Sequence, residues 1–185
     1  NVIPQTSTIG SHLPRAFGLA FALGRAAGAD MTSSWPLDSV VVCSFGDASA
    51  NHSTAVGALN ASAYCAHQGL PLPVLYVCED NGIGISTKSP AGWVARSLSS
   101  LPAIEYAAAD GTKPIELLDT AQRLAELVRT QRRPAILHLK TVRFMGHAGS
   151  DAEIAYRSSR EIEDDYALDP LLATANALID AGVLT

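Results

Sequence analysis

Cysteine, aromatic residues and charge are all scarce in this 185-residue chain. The three cysteines, Cys43, Cys65 and Cys78, form no CxxC pair. That argues against a thiolate metal cluster or a disulfide framework and fits a reducing compartment. Only 17% of residues are charged, the net charge is −5, and no basic run occurs. Neither nucleic acid nor an anionic membrane surface is therefore an expected partner. No apolar run reaches the roughly 18 residues of a membrane span. The Ala/Gly-rich stretch from Leu13 to Ala29 comes nearest, and Arg15 and Arg25 interrupt it. No GxGxxG follows a candidate strand, which removes the usual dinucleotide fingerprint. The chain opens on Asn1 with neither Met nor a signal-like segment. We read it as one domain, 1–185, incomplete at its N-terminus.

What the chain does have is a core. Hydrophobic residues make up 48% of it, a globular composition. Ser11–Ala27 reads as a helix with Leu13, Phe17, Ala20, Phe21 and Gly24 on one face. That face is expected to stay partly exposed and to drive association. Ser39–Phe45 is continuously apolar, as in a strand covered on both sides. A helix over Asn51–His67 is stopped by Gly69, Pro71 and Pro73, and a strand follows at Val74–Glu79. The chain then reads as irregular to about Gly92. A short helix at Trp93–Leu101 precedes a strand at Ile104–Ala109. Pro114–Gln131 has helical periodicity, with Ile115, Leu118, Leu124, Leu127 and Val128 on one side. Pro134–Thr141 is a further strand. Residues 144–158 are polar and too long for an ordinary connection, so we expect a mobile loop. Two helices, near Arg160–Tyr166 and Pro170–Ala181, close the chain. This alternation predicts an α/β fold: a mostly parallel sheet with helices on both faces.

The ends of the first two strands carry polar residues. Gly46-Asp47-Ala48-Ser49 follows the first, and Glu79-Asp80-Asn81-Gly82 follows the second. Ligands of α/β proteins bind at such carboxyl strand ends. The amides after Asp47 would open a helix and suit phosphate oxygens. Asp47 itself would need a divalent cation between it and a phosphate. Alternatively, Asp47 and Ser49 only cap the helix. Asn81-Gly82 reads either as a hairpin turn or as an amide and carbonyl donor set for Mg²⁺ beside Asp47.

Asn81 stands 34 positions after Asp47. The pair resembles the thiamine diphosphate motif of thiamine-dependent enzymes, GDG, a spacer of somewhat under thirty residues, then NN. Ala48 replaces the last Gly, Asp80 replaces the first Asn, and the spacer is longer around His67–Leu72. Downstream, Arg143-Phe144-Met145-Gly146-His147-Ala148-Gly149-Ser150-Asp151 and Tyr156-Arg157-Ser158 resemble the loop of 2-oxo acid dehydrogenase E1 α subunits. Thr8-Ile9-Gly10-Ser11-His12-Leu13-Pro14 is similar to that family's segment before its Ala/Gly-rich helix. The resemblance spans Ser7 to about Leu171 and is nearest to branched-chain and pyruvate-type chains.

The resemblance implies a thiamine diphosphate-binding fold and an enzyme that oxidatively decarboxylates a 2-oxo acid and passes the acyl group to lipoyl. It implies Mg²⁺ held by Asp47, Asn81 and the Ile83 carbonyl. Gly46, Asp47, Ala48 and Ser49 would meet the diphosphate, and Ser7 and Ile9 the aminopyrimidine. His147 would be catalytic or stabilise the diphosphate, imidazole being a side chain suited to proton exchange. Arg143 and Arg157 would shape the loop or meet anionic groups. The glutamate partner of the aminopyrimidine is supplied by a β subunit or fused β region. The chain alone is therefore expected to be inactive. Its expected partners are that β portion, in an α2β2-type oligomer, and a lipoyl-bearing E2, in a bacterial cytoplasm or a mitochondrial matrix. Competing readings are an acetoin dehydrogenase or transketolase-like α chain, and a non-catalytic α/β module whose motif has decayed. Among the other histidines, His138 reads as a structural strand residue, His52 as a first-turn residue near the phosphate site and His67 as a surface residue. His12 reads as a neighbour of the ring site.

Overall fold

Four parallel strands form the main sheet in a computed structural model describing residues 2–26 and 35–184. In chain order the elements are α1 (His12–Ala26), β1 (Val41–Gly46), α2 (Ser53–His67), β2 (Val74–Asp80), β3 (Ile83–Gly84) and β4 (Thr87–Lys88). Then come α3 (Trp93–Ser99), β5 (Glu105–Asp110), α4 (Pro114–Gln131), β6 (Ala135–Lys140), α5 (Ser159–Tyr166) and α6 (Pro170–Asp180). The strand order is β1-β2-β6-β5, with register pairs such as Gly46↔Glu79, Cys78↔His138 and Ala108↔His138. This is the expected α/β architecture. The expected end of the first helix at Ala27 lies outside the described residues.

Apolar burial divides into two layers. Leu13, Ala20 and Leu23 of α1, Ala55 and Leu59 of α2, and Val94 and Leu98 of α3 pack with Tyr76, Cys78 and Ile136 on one face. Leu124 and Val128 of α4 pack on Leu75, Ala135 and Leu137 on the other. The apolar face of α1 is covered in part: Leu13 and Ala20 are fully buried, while Phe17 and Phe21 stay partly exposed at its margin. Two expectations change here. β1 lies at the sheet edge and is covered on one side only, its residues alternating and Val42 63% exposed. A continuous apolar run does not reveal an edge position, because the missing neighbour is a tertiary fact. Ile115 and Leu118 of α4 are exposed, leaving Leu124 and Val128 as its buried anchors.

The strand ends share one frame, because the hydrogen-bond ladder continues past them. The Asp47 amide donates to the Glu79 carbonyl (3.1 Å), Thr141 to Asp80 (2.8 Å) and Gly111 to Lys140 (2.8 Å). The loops that carry the polar residues therefore start from fixed positions. The connection from α2 to β2, residues 68–73, lies at the opposite pole. There Leu72 donates to the Arg132 carbonyl and Val41 to that of Pro73.

Candidate functional site

The Asp47 carboxylate is 2% exposed and has no cationic partner among the described residues. Among the described residues its carboxylate accepts one hydrogen bond, from the Ser89 hydroxyl at 2.5 Å. A buried, unpaired carboxylate is costly, so a ligand of opposite charge would stabilise this arrangement. The helix-cap alternative fails, since the Asp47 side chain caps nothing and the following 3-10 turn, Ala48–Asn51, forms without it. The cap of α2 is His52, whose Nδ1 accepts from the Thr54 amide at 3.2 Å. His52 thus has a structural duty rather than only a place near a phosphate.

Ala50 and His52 use their amides inside that turn, donating to Asp47 and Ser49. The amides of Ala48 and Ser49 have no acceptor among the described residues, and both residues line the cleft. Ala48 has no positive φ, so a right-handed 3-10 turn accepts it without the freedom of glycine. Its side chain needs room instead. A Cβ built on Gly84 would fall 2.6 Å from the Ala48 Cβ. Gly84 is therefore the complement of Ala48.

Asn81 closes β2. Its Oδ1 accepts from the Ile83 amide (3.1 Å), and the Asp80 Oδ1 accepts from Gly82 (2.9 Å). Gly82 itself takes φ +74°. Of the two readings of Asn81-Gly82, the hairpin turn is not formed there: β3 and β4 pair antiparallel and turn at Ile85-Ser86. Ile85 adopts φ +56° there, a conformation that β-branched residues rarely take. No propensity rule would have chosen it.

The loop after β6 crosses the open side. Arg143 donates to the Ile85 carbonyl (2.8 Å) and the Tyr156 hydroxyl (2.6 Å), while its buried Nε has no partner. Asp151 accepts from Tyr156 (2.6 Å) and from the His147 amide (2.7 Å). Those two bonds, the Tyr156 hydroxyl foremost, hold the Asp151 carboxyl below the usual range. Arg157 is buried and holds Glu153 (2.6 Å), Asp165 (2.5 Å) and the Glu161 carbonyl (2.8 Å). It shapes the loop and does not face the cleft.

These parts meet around a cleft of about 520 Å³. Gly46, Asp47, Ala48 and Ser49 line one side; Asn81, Ile83, Gly84 and Ile85 another; Ile9, Arg143 and His147 complete it. Of the residues expected from the sequence to bind metal or cofactor or to act in catalysis, Ser7 alone is not at the cleft wall and lies on the exposed N-terminal stretch. Sequence reasoning missed Ser89, Ile85 and Asn51. Asn51 also lines the cleft and accepts from the Trp93 indole at 2.6 Å. Nothing in local sequence marks them. His12 donates to or accepts from no cleft residue; its Nε2 meets the Ser44 carbonyl at 2.9 Å. The strand cysteines are not thiolate nucleophiles: burial pushes Cys43 up to about 11 and Cys78 higher still.

Among the described residues no three His, Cys, Asp or Glu side chains gather as a metal site. A cation here would rest on a carboxylate, an amide and a carbonyl, a hard oxygen set suited to Mg²⁺ rather than Zn²⁺. The unpaired Asp47 fits such an ion, and the free amides with the unpartnered Arg143 Nε fit the anionic group it would carry.

The model of the Dehydrogenase E1 component family matches residues 1–185. The chain belongs to this family. Within it, the pyruvate dehydrogenase E1 component subunit alpha of Zymomonas mobilis is 31% identical over 179 residues, covering 95% of this chain and 46% of the relative. That of Rickettsia conorii is 32% identical over 143 residues, 76% of this chain and 42% of the relative. The 2-oxoisovalerate dehydrogenase subunit alpha of Bacillus subtilis is 26% identical over 188 residues, 100% of this chain and 52% of the relative. The chain spans about half the length of the curated relatives it matches. As an E1 component chain it fits the α-subunit resemblance carried by its motifs. Among the described residues, no helix is long and apolar enough to cross a membrane.

Proposed function

We propose that this chain is the thiamine diphosphate- and Mg²⁺-binding α portion of a 2-oxo acid dehydrogenase. The carrying observation is the buried, unpaired Asp47 beside two free amides and Asn81 on one cleft. Asp47, Asn81 and the Ile83 carbonyl would hold Mg²⁺, and Gly46 and the amides of Ala48 and Ser49 would receive the diphosphate. Arg143 adds positive charge on the loop side, and Ile9 and Ile85 give that side an apolar lining. Ser7 and Ile9 would offer backbone groups to the aminopyrimidine. Thiamine diphosphate supplies the electron sink for decarboxylating a 2-oxo acid. His147, exposed at the cleft mouth, would be the catalytic residue that exchanges protons or steadies the diphosphate.

The catalytic carboxylate would come from a β subunit or fused β region, in an α2β2-type assembly that delivers acyl groups to a lipoyl-bearing E2. Relatives with bacterial and mitochondrial sources agree with a bacterial cytoplasm or a mitochondrial matrix as its setting. Calorimetry on the full-length chain with its β portion tests the reading. Mg²⁺ and thiamine diphosphate should bind together, and Asp47→Ala should weaken binding at least about 100-fold. Unchanged binding in that variant would refute the cation role. Acceptor reduction with pyruvate, branched 2-oxo acids and acetoin identifies the substrate, and turnover with acetoin alone would move the chain to the acetoin class.

A further inference from the structure

A second cleft, of about 590 Å³, lies beside the first at the carboxyl ends of β2, β6 and β5, and Asn81 lines both. Behind that shared residue runs a chain of three polar side chains. The Asp80 Oδ2 lies 2.8 Å from the His138 Nε2, and the His138 Nδ1 lies 2.8 Å from the Tyr106 hydroxyl. The register explains the line. Cys78 and Ala108 flank His138, so Asp80 and Tyr106 are its diagonal neighbours on one face, two pleats apart along the strands. A carboxylate only accepts, so Nε2 carries a proton. The Tyr106 hydroxyl meets the other ring nitrogen, Nδ1. Burial, with lesser contributions from Cys78 and Asp80, keeps that phenol above its ordinary range and hence protonated.

Both oxygens of Asp80 are thereby engaged, one by Gly82 and one by His138. Its carbonyl takes the Thr141 amide. Asp80 lines only the second cleft and not the first, so it is not a further cation ligand. It is a brace inside the turn that aims Asn81. We infer that His138 and Tyr106 are positioning residues: they hold Asp80, and through it fix the direction in which Asn81 presents its amide to the cation end of the first cleft. The Asp that departs from the resembled motif is then half of a matched pair rather than a sign of decay. This rests on the function proposed above.

The test uses the full-length chain with its β portion and measures the apparent Mg²⁺ affinity in the presence of thiamine diphosphate. His138→Leu should weaken it by about 10- to 100-fold, the usual effect of losing a group that orients a metal ligand. His138→Gln, whose amide can donate to Asp80 from the same place, should recover most of the loss. Tyr106→Phe should produce a smaller loss in the same direction. In parallel, hydrogen exchange at the Gly82 amide should speed up about tenfold in His138→Leu and return in His138→Gln. If wild type binds Mg²⁺ and thiamine diphosphate and His138→Leu binds them equally well, the inference falls while the function stands. If Gln and Leu at 138 weaken binding alike, or if melting temperature falls with Mg²⁺ affinity unmoved, His138 is merely structural. If wild type itself does not bind, the proposed function falls and the positioning role falls with it.

Discussion

The two walls of the cleft are built by different physics. The sheet wall, residues 46–51 and 81–85, hangs from strand ends whose backbone ladder continues into the loops. It sits over a close-packed apolar core in which Tyr76, Val74 and Ile136 are fully buried. The loop wall, residues 141–166, has almost no core. Phe144 stacks on Tyr166 with ring centroids 5.3 Å apart, and the rest is polar: Arg143, Asp151 and Tyr156 in one cluster, Arg157 with Glu153 and Asp165 in another. Charged clusters respond directly to screening and protonation, whereas apolar packing and ladders respond to salt only through solvent exclusion. One wall thus rests on apolar packing and backbone ladders, the other on ion pairs and side-chain hydrogen bonds.

Substitutions should separate them, and the largest effect is expected at Arg157. Replacing it with Leu leaves Glu153 and Asp165 without their buried partner, at about 3–5 kcal/mol. Limited proteolysis and hydrogen exchange should show residues 144–166 opening while β1 and β2 keep their protection. Equal loosening of the strands would show the walls to be one unit. Next is Gly84→Ala, which drives a methyl into Ala48 and should destabilise by about 1–3 kcal/mol. Ala48→Gly in the same chain should restore stability, read by denaturant unfolding. No recovery would mean that the contact does not set the sheet wall.

Acid comes third. The Lys88 ammonium foremost, with the Ser158 amide, pulls Glu161 down to about 2, below the ordinary glutamate value of about 4.3. A depressed carboxyl stabilises above its unfolded pKa and loses that contribution as pH falls toward the folded one. The tie between β4 and α5 should therefore hold at neutral pH and weaken between about pH 4 and 2. Asp151 shifts in the same direction, so its bonds to Tyr156 and the His147 amide should also loosen as acid protonates it. NMR of the His147 and Ser158 amides checks this, and the strand amides should stay put. The smallest effect is that of salt. Exposed pairs such as Arg129–Asp38 and Arg123–Glu105 are worth about 0–1 kcal/mol, so molar chloride should shift the unfolding midpoint only slightly.

The same division explains what could be read from sequence. The strands and helices of the main fold announced themselves by period and by stop residues, down to Pro114–Gln131. Asp47 and Asn81 were legible because strand ends are where ligands bind in such folds. The edge position of β1 was not, since Val42 looks the same whether or not a neighbour covers it. Ser89 reaches Asp47 across 42 positions, a distance no local pattern encodes. The strained Ile85 turn contradicts propensity outright. His138 looked like an ordinary strand residue because its partners, Asp80 and Tyr106, become neighbours only through register.

The remote connection at 68–73 carries one more lesson. The loop there turns through Gly69 at φ +71°, and the resemblance puts the longer spacer between Asp47 and Asn81 at this far pole. Both ends of the motif are pinned independently by the ladder, so extra residues at that pole leave their separation in space untouched. Evolution can lengthen or trim this link without disturbing the pocket. A search keyed to fixed spacing would overlook such chains, and one keyed to polar residues at adjacent strand ends would find them.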